Sequence, residues 1–364
     1  MDQVVCEFRE EGTTLPLFIK PKNGQDSAEF IIQWIGENKE LLRQKILEYG
    51  AVMFRGFKID KGVEFERAMQ QFEPELSKDY HGTSPRKQLP GTEYVFTASE
   101  LPRFFPIPQH IEMSFLAAPP RNIFFCCLDE PVGPGGETTL CDFKKVYEDI
   151  DPAVRQKFEE KEVMIVRNYR KGWTVFTDPT QLKGWPEIYD TDKKEEVEEH
   201  CRKSFQDFTW MKNDGLKLVN QRAAFENHPE TGDRIWFNHL QTFHWYMISD
   251  EFYRIYKRMG LFKYLLLSWF AWFLKMILFI FIGPMNCGFH TCYGDGTEIP
   301  DAVNKHVRDV TWKNMVFNRW KKGDMIMIDN YRISHGRQPY SGKRLIVVSW
   351  SKPYLRPSLR EKNE

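Results

Sequence analysis

The chain has 364 residues, and its 51 basic and 51 acidic side chains cancel to a formal net charge of zero. That length can bury a substantial core as one large domain or two, and the missing basic surplus argues against a nucleic-acid partner. Aromatic residues make up 15% of the chain, 29 Phe and 11 Trp among them, a load that suits a β-rich core or an apolar pocket.

The amino terminus, MDQVVCEFREE, carries acids where a secretory signal has a basic start and an apolar core. Cys6, Cys126, Cys127, Cys141, Cys201, Cys287 and Cys292 show neither zinc spacing nor a disulfide framework and read as reduced thiols. The expected location is cytoplasmic, or membrane-associated facing the cytosol. TLPLFIK (Thr14 to Lys20) predicts a strand, and Ala28 to Tyr49 a helix with Ser27 as N-cap and Gly50 as stop. AVMFRGF (Ala51 to Phe57) predicts a buried strand and Val63 to Phe72 an amphipathic helix. The turn-rich stretch Tyr80 to Gly91 follows, with Arg86 and Lys87 as solvated loop charges.

PQHIEMSF (Pro108 to Phe115) reads as a strand, in which period-two geometry puts His110 and Glu112 on one face. An imidazole and a carboxylate side by side are two ligands of the two-histidine, one-carboxylate triad of non-haem Fe(II). A His-x-acid pair arises by chance about once in a chain of this composition, so the pair needs company. A third ligand stands downstream in GDMIMIDNYRISHGRQPY (Gly323 to Tyr340), where His335 sits after an apolar run.

RNIFFCCL (Arg121 to Leu128) predicts a strand buried on both faces, and PVGPGGETTL turns the chain and delivers Thr138 and Thr139 into the next strand. Those two hydroxyls serve either an anionic ligand or plain β-propensity. Phe143 to Glu162 predicts a surface helix, VMIVRNY (Val163 to Tyr169) a strand, and the charged run Thr191 to Phe205 a solvated helix. Leu216 to Phe225 and His228 to Asn238 predict two strands around a Pro/Gly turn. His228, His239, His244 and His290 are metal ligands by chemistry but are more commonly structural histidines.

Eight stretches in order, FRGF at Phe54, YVFTASE at Tyr94, IPQHIE at Ile107, GGET at Gly135, WFN at Trp236, GDG at Gly294, GDMIMIDN at Gly323 and HGRQPYSGKR at His335, resemble the TauD/TfdA family of Fe(II)- and 2-oxoglutarate-dependent dioxygenases, closest to its clavaminate synthase-like members. The resemblance implies an α+β chain built on a distorted double-stranded β-helix (jelly roll) with surrounding helices, to which this chain adds an apolar helical insertion. It implies one TauD/TfdA-like catalytic domain over 1–364, which in this chain carries its own insertion at 255–286. It also implies Fe(II), with 2-oxoglutarate as cosubstrate and O2, acting on a small molecule, an amino acid or carboxylate, whereas the apolar run Leu261 to Ile282 suits a lipid-like compound. His110, Glu112 and His335 match the catalytic iron ligands, with Glu where many relatives have Asp. Arg344 matches the arginine that grips the far carboxylate of 2-oxoglutarate, a role suited to a bidentate guanidinium, and Thr138 the threonine that helps hold it. Arg337 lies nearby without an assigned role. Two alternatives stay open: a peptidyl or protein hydroxylase on the same fold, and a catalytically decayed, membrane-associated binding protein.

One segment departs from the family. LFKYLLLSWFAWFLKMILFIFI (Leu261 to Ile282) is long enough to span a bilayer, yet His110 and Glu112 before it and His335 after it must share one side of any membrane. An in-plane or re-entrant membrane anchor, a substrate-channel lid and a buried core helix remain. An anchor predicts Trp269, Phe270, Trp272 and Phe273 exposed, with Lys263 and Lys275 snorkelling to the interface.

Overall fold

The computed structural model describes residues 3–9, 12–78, 86–172, 184–204 and 206–360; of the predicted features, 80–85 and Phe205 lie outside them. Two sheets form the centre. The larger has seven strands in the order Val4–Glu7, Leu17–Pro21, Ala51–Phe54, Met325–Asp329, Asn122–Asp129, Leu345–Trp350 and Phe96–Thr97, with Leu17–Pro21 and Ala51–Phe54 parallel and the other pairs antiparallel. The smaller is antiparallel, in the order Met315–Asn318, Thr138–Asp142, Ile333–Arg337 and Ile107–His110.

Strand Asn122–Asp129 shows why the two sheets face each other. Its side chains alternate: Ile123, Phe125 and Cys127 join one buried cluster with Leu140 and Ile333 of the small sheet, while Phe124, Cys126 and Leu128 join another with the amino-terminal helices. The uninterrupted apolar run therefore fills two layers, as expected of a strand covered on both faces. Helices Ala28–Glu37, Lys39–Tyr49 and Gly62–Phe72 supply the outer layer through Ile31, Ile35, Leu42 and Phe65.

Two predicted helices are each broken in two. Ala28 to Tyr49 divides at Asn38, whose backbone N–H and Nδ2 both donate to the Trp34 carbonyl (3.0 and 2.8 Å) and close the first helix. Ser27 caps its start, accepting from the Phe30 N–H at 3.2 Å, and Gly50 ends the second helix in the left-handed region at φ 79°. Phe143 to Glu162 divides into Phe143–Asp149 and Pro152–Lys161, because Asp151 caps a new start by accepting from Ala153 N–H (2.8 Å) and Pro152 fits only a first turn.

A third, antiparallel sheet, Phe289–Tyr293, Val163–Tyr169, Leu216–Arg222 and Asp207–Trp210, covers the side of the core. The predicted strand from Leu216 stops at Arg222; Phe225–Asn227 then pairs with Arg234–Trp236 around the Pro/Gly turn. The charged run forms helix Lys194–Lys203. The apolar segment is the helix Phe262–Phe281, packed on helix Trp245–Met259 after a turn at Gly260. Trp269, Phe270, Trp272 and Phe273 are exposed, as the anchor reading expects. Lys263 is exposed too, but Lys275 does not snorkel: it is buried, its Nζ donating to Asp301 at 3.4 Å.

Candidate functional site

Pairing in the small sheet sets the site. His335 lies directly across from His110, and Arg337 across from Thr138, so three of the predicted residues are fixed by strand register alone. Glu112 arrives differently from the sequence expectation. The strand ends at His110, and Glu112 sits in a turn beside Met113, whose φ of 55° is unusual for a side-chain-bearing residue. Period-two geometry is therefore not what brings the carboxylate in. Asn330, fully buried after strand Met325–Asp329, does it: its Oδ1 accepts from the Glu112 N–H (2.9 Å), and its Nδ2 donates to the Glu112 and Pro120 carbonyls (3.1 and 2.9 Å).

The donor atoms of His110, Glu112 and His335 lie within 4.8 Å of one another and can hold a metal ion. Glu112 Oε2 is 3.5 Å from His335 Nε2 and 4.0 Å from His110 Nε2. Donors each about 2 Å from one ion are at most about 4 Å apart, so the two separations from Glu112 are of the right size. The His110 tautomer is also fixed, because Nδ1 must donate to the Pro108 carbonyl (2.9 Å), which leaves the Nε2 lone pair facing Glu112. Burial, reinforced by His335, pushes His110 down to about 4, so the ring is neutral and able to coordinate at neutral pH.

Arg86 is a correction. Read from sequence as a solvated loop charge, it is buried, and its Nη2 donates to Glu112 Oε2 at 2.8 Å. Burial alone would raise the Glu112 carboxyl; Arg86 and the two histidines overcome this and hold it well below the usual range. No sequence signal distinguishes Arg86 from its neighbour Lys87, which stays exposed on the surface with Glu100 at 3.7 Å.

Arg344 and Thr138 line the same cavity as the triad. Arg344 Nε donates to the Gly136 carbonyl (2.9 Å) and Nη2 reaches Thr138 Oγ1 (3.4 Å), which also accepts from Trp320 Nε1–H (2.9 Å). Among the described residues no carboxylate lies within ion-pair distance of Arg344 or Arg337, and burial, with Arg337 beside it, pushes Arg344 down to about 10. A half-buried guanidinium without a counter-charge suits an anionic ligand. Arg337 serves the rim of the cavity instead, where its Nη1 and Nη2 donate to the carbonyls of Leu101, Pro102 and Phe105 and pin that loop.

The other histidines divide. His239 stacks edge-on at 5.3 Å from His110 and bonds Ser114 Oγ through Nδ1. His228 pairs with Asp329. His244, His290 and Glu298 form a second cluster of ligand type. Burial, with His290 and Lys275 contributing, pushes His244 down, and a lysine neighbour disfavours a second cation there.

A wall of facing sheets with two imidazoles and one carboxylate at its mouth is the donor set of non-haem iron enzymes. Comparison with known proteins agrees. The family described as taurine catabolism dioxygenase TauD, TfdA family matches residues 25–350, and the chain belongs to it. It is thus an Fe(II)- and 2-oxoglutarate-dependent dioxygenase acting on a small molecule. The dapdiamide synthesis protein DdaC of Enterobacter agglomerans is 29% identical over 86% of this chain and 85% of its own. A clavaminate synthase-like protein of Arabidopsis thaliana is 26% identical over 90% and 88%. PvcB of Pseudomonas aeruginosa, described as an Fe, alpha-ketoglutarate dependent oxygenase from an isonitrile synthetic pathway, shares the fold at a TM-score of 0.51 and 13% identity, covering 96% of this chain and 91% of that one.

Proposed function

We propose that His110, Glu112 and His335 hold one Fe(II) ion, and that Arg344 and Thr138 hold the far carboxylate of 2-oxoglutarate. The observation that carries this reading is the convergence of two imidazole nitrogens and a carboxylate oxygen on one point, with His110 Nε2 left bare by the Pro108 hydrogen bond. With metal and cosubstrate bound, the site supplies oxidation of an unactivated C–H bond by O2 as 2-oxoglutarate becomes succinate and carbon dioxide. The residues of the chain position and shield. Asn330 fixes the Glu112 backbone, Arg86 balances its charge, and Trp320 occupies the Thr138 oxygen so that its O–H is free to donate to the cosubstrate. Phe115, Phe125 and Phe243 line the cavity beside the triad and keep bulk water away.

The facing sheets, sharing one buried cluster, support a distorted double-stranded β-helix, and we read 1–364 as a single catalytic domain with 255–286 inserted. On this reading the enzyme faces the cytosol and its insertion meets a membrane; the exposed aromatics of helix Phe262–Phe281 support it. The test is release of carbon dioxide from carboxyl-labelled 2-oxoglutarate by the Fe(II)-loaded protein. Turnover that needs Fe(II) and is lost in His335→Ala supports the assignment, and turnover untouched by that substitution overturns it.

A further inference from the structure

Helix Phe262–Phe281 is apolar on its outward side as well as its inward one, and two of its few polar side chains, Ser268 and Lys275, face inward. The side packed on the protein carries Tyr264, Ser268, Ala271, Lys275 and Leu278. Ser268 Oγ donates to the Ser249 carbonyl at 2.7 Å, and Lys275 reaches Asp301. The outward side carries Phe262, Trp269, Phe270, Trp272, Phe273 and Phe281, each 56–81% exposed. A helix on a water-soluble core turns a polar face outward, and an outward apolar patch of this kind marks an interaction surface.

Charge names the partner. Between Phe252 and Gly294 there is no Asp or Glu, but there are Arg254, Lys257, Arg258, Lys263 and Lys275, in a chain that is neutral overall. Arg254, Arg258 and Lys275 are paired with Asp250, Glu137 and Asp301, whereas Lys257 and Lys263 are exposed near the amino-terminal end of the helix and pair with no carboxylate among the described residues. Aromatic side chains with lysines at one end match the interface of an anionic leaflet, where the rings sit at headgroup depth and the cations meet the surface potential.

The same helix also walls the cavity over the triad. Leu267, Phe270, Ala271 and Leu274 line it, with Phe104 and Phe252. The cavity holds about 510 Å³, within the range of pockets for small organic ligands. Phe270 and Phe104 both line the cavity and stand 63% and 47% exposed, so they mark its rim, and Arg337 pins the loop that carries Phe104.

We propose that this enzyme binds an anionic membrane surface through the outward face of helix Phe262–Phe281, and draws an amphiphile with a long apolar chain from the bilayer between Phe104 and Phe270. It then oxidises a carbon of that chain. The proposal rests on the iron and 2-oxoglutarate assignment above. One C–H bond of the chain becomes C–OH; one atom of O2 enters that hydroxyl and the other enters succinate, as 2-oxoglutarate loses carbon dioxide.

The test uses the full chain with phosphatidylcholine vesicles, with and without phosphatidylserine. The protein floats with the vesicles, more strongly when phosphatidylserine is present, and its tryptophan emission shifts to the blue as Trp269 and Trp272 enter the interface. The triple variant W269E/W272E/F273E changes only outward side chains that do not line the cavity. It keeps basal 2-oxoglutarate turnover and loses vesicle partition on the order of a hundredfold, the transfer preference of three half-inserted aromatics. Vesicles doped with long-chain fatty acids or alcohols raise 2-oxoglutarate turnover in the wild type, and water-soluble short-chain acids do not. No flotation with either composition overturns the proposal, as does equal stimulation by short-chain acids, or sedimentation as a dimer that leaves the vesicles unbound. Flotation with no 2-oxoglutarate turnover under any condition overturns the iron-site assignment instead.

Discussion

Asn330 makes three buried hydrogen bonds, two with the Glu112 backbone and one to the Pro120 carbonyl, and its replacement has a calculable effect. Each bond contributes about 1 kcal/mol net, so Asn330→Ala, which also strands the Glu112 N–H and carbonyl in the interior, costs roughly 3 kcal/mol of stability. Asn330→Asp is the sharper probe. It retains an acceptor for the Glu112 N–H but faces the Glu112 and Pro120 carbonyls with an oxygen in place of a donor. Supports of this kind are worth about 10- to 100-fold in metal affinity. Anaerobic titration of Fe(II), or of Mn(II) as a redox-stable probe, into wild type and N330D reads the effect directly, with urea unfolding in parallel. Affinity within about twofold of wild type, together with unchanged stability, would show that Glu112 is held by something else.

The other predictions concern charge and geometry around the same centre. Arg344→Lys keeps the charge but loses the paired geometry, so 2-oxoglutarate affinity falls while metal affinity stays; an unchanged cosubstrate titration removes Arg344 from the site. His110→Ala leaves a folded protein by circular dichroism that turns over no 2-oxoglutarate. Arg86→Met leaves Glu112 buried and unbalanced, costing about 3 kcal/mol or more in the metal-free protein, and the deficit shrinks when Mn(II) is added, because the ion supplies the missing charge. An equal deficit with and without Mn(II) refutes that role. The fifth concerns acid: burial would raise Asp329, but Arg121 and His228 overcome it and hold the carboxyl well below its ordinary value. Its contribution is fully present above the unfolded carboxyl value of about 3.9 and is lost as pH falls from there through the folded one. Asp329→Asn therefore destabilises at neutral pH and flattens the acid limb of the stability curve, and an acid limb parallel to the wild type contradicts this.

How much of the molecule is legible in the sequence depends on how local the cause is. The strands Asn122–Asp129, Thr138–Asp142 and Ile333–Arg337 are visible as apolar or β-branched runs between turns, and the cap residues Ser27 and Gly50 do what their chemistry suggests. The breaks at Asn38 and Ile150 escape a reading by periodicity because apolar spacing continues across them; Asn38 and the Asp151-Pro152 pair are the signals that mark them. His110 and Glu112 do meet, but strand period is the wrong reason, since a turn and Asn330, distant by 218 positions, bring the carboxylate in. Arg86 is unreadable, because nothing local says that a loop arginine will cross to a buried carboxylate. The apolar helix is legible from its composition, but its exposure is not, since the same composition suits a buried core helix, and its inward Ser268 and Lys275 depend on tertiary partners, Ser249 and Asp301.

The most direct measurement compares wild type with Glu112→Gln for release of labelled carbon dioxide from carboxyl-labelled 2-oxoglutarate, at fixed Fe(II) and O2. The substitution keeps the size of the side chain and leaves the Asn330 contacts to the backbone in place, while removing the charge that faces His110 and His335. If the three residues hold the iron, the wild type releases carbon dioxide steadily and only with Fe(II), and release collapses in the variant with the fold intact. Release by the variant at the wild-type rate, or none from a metal-loaded wild type, would contradict it.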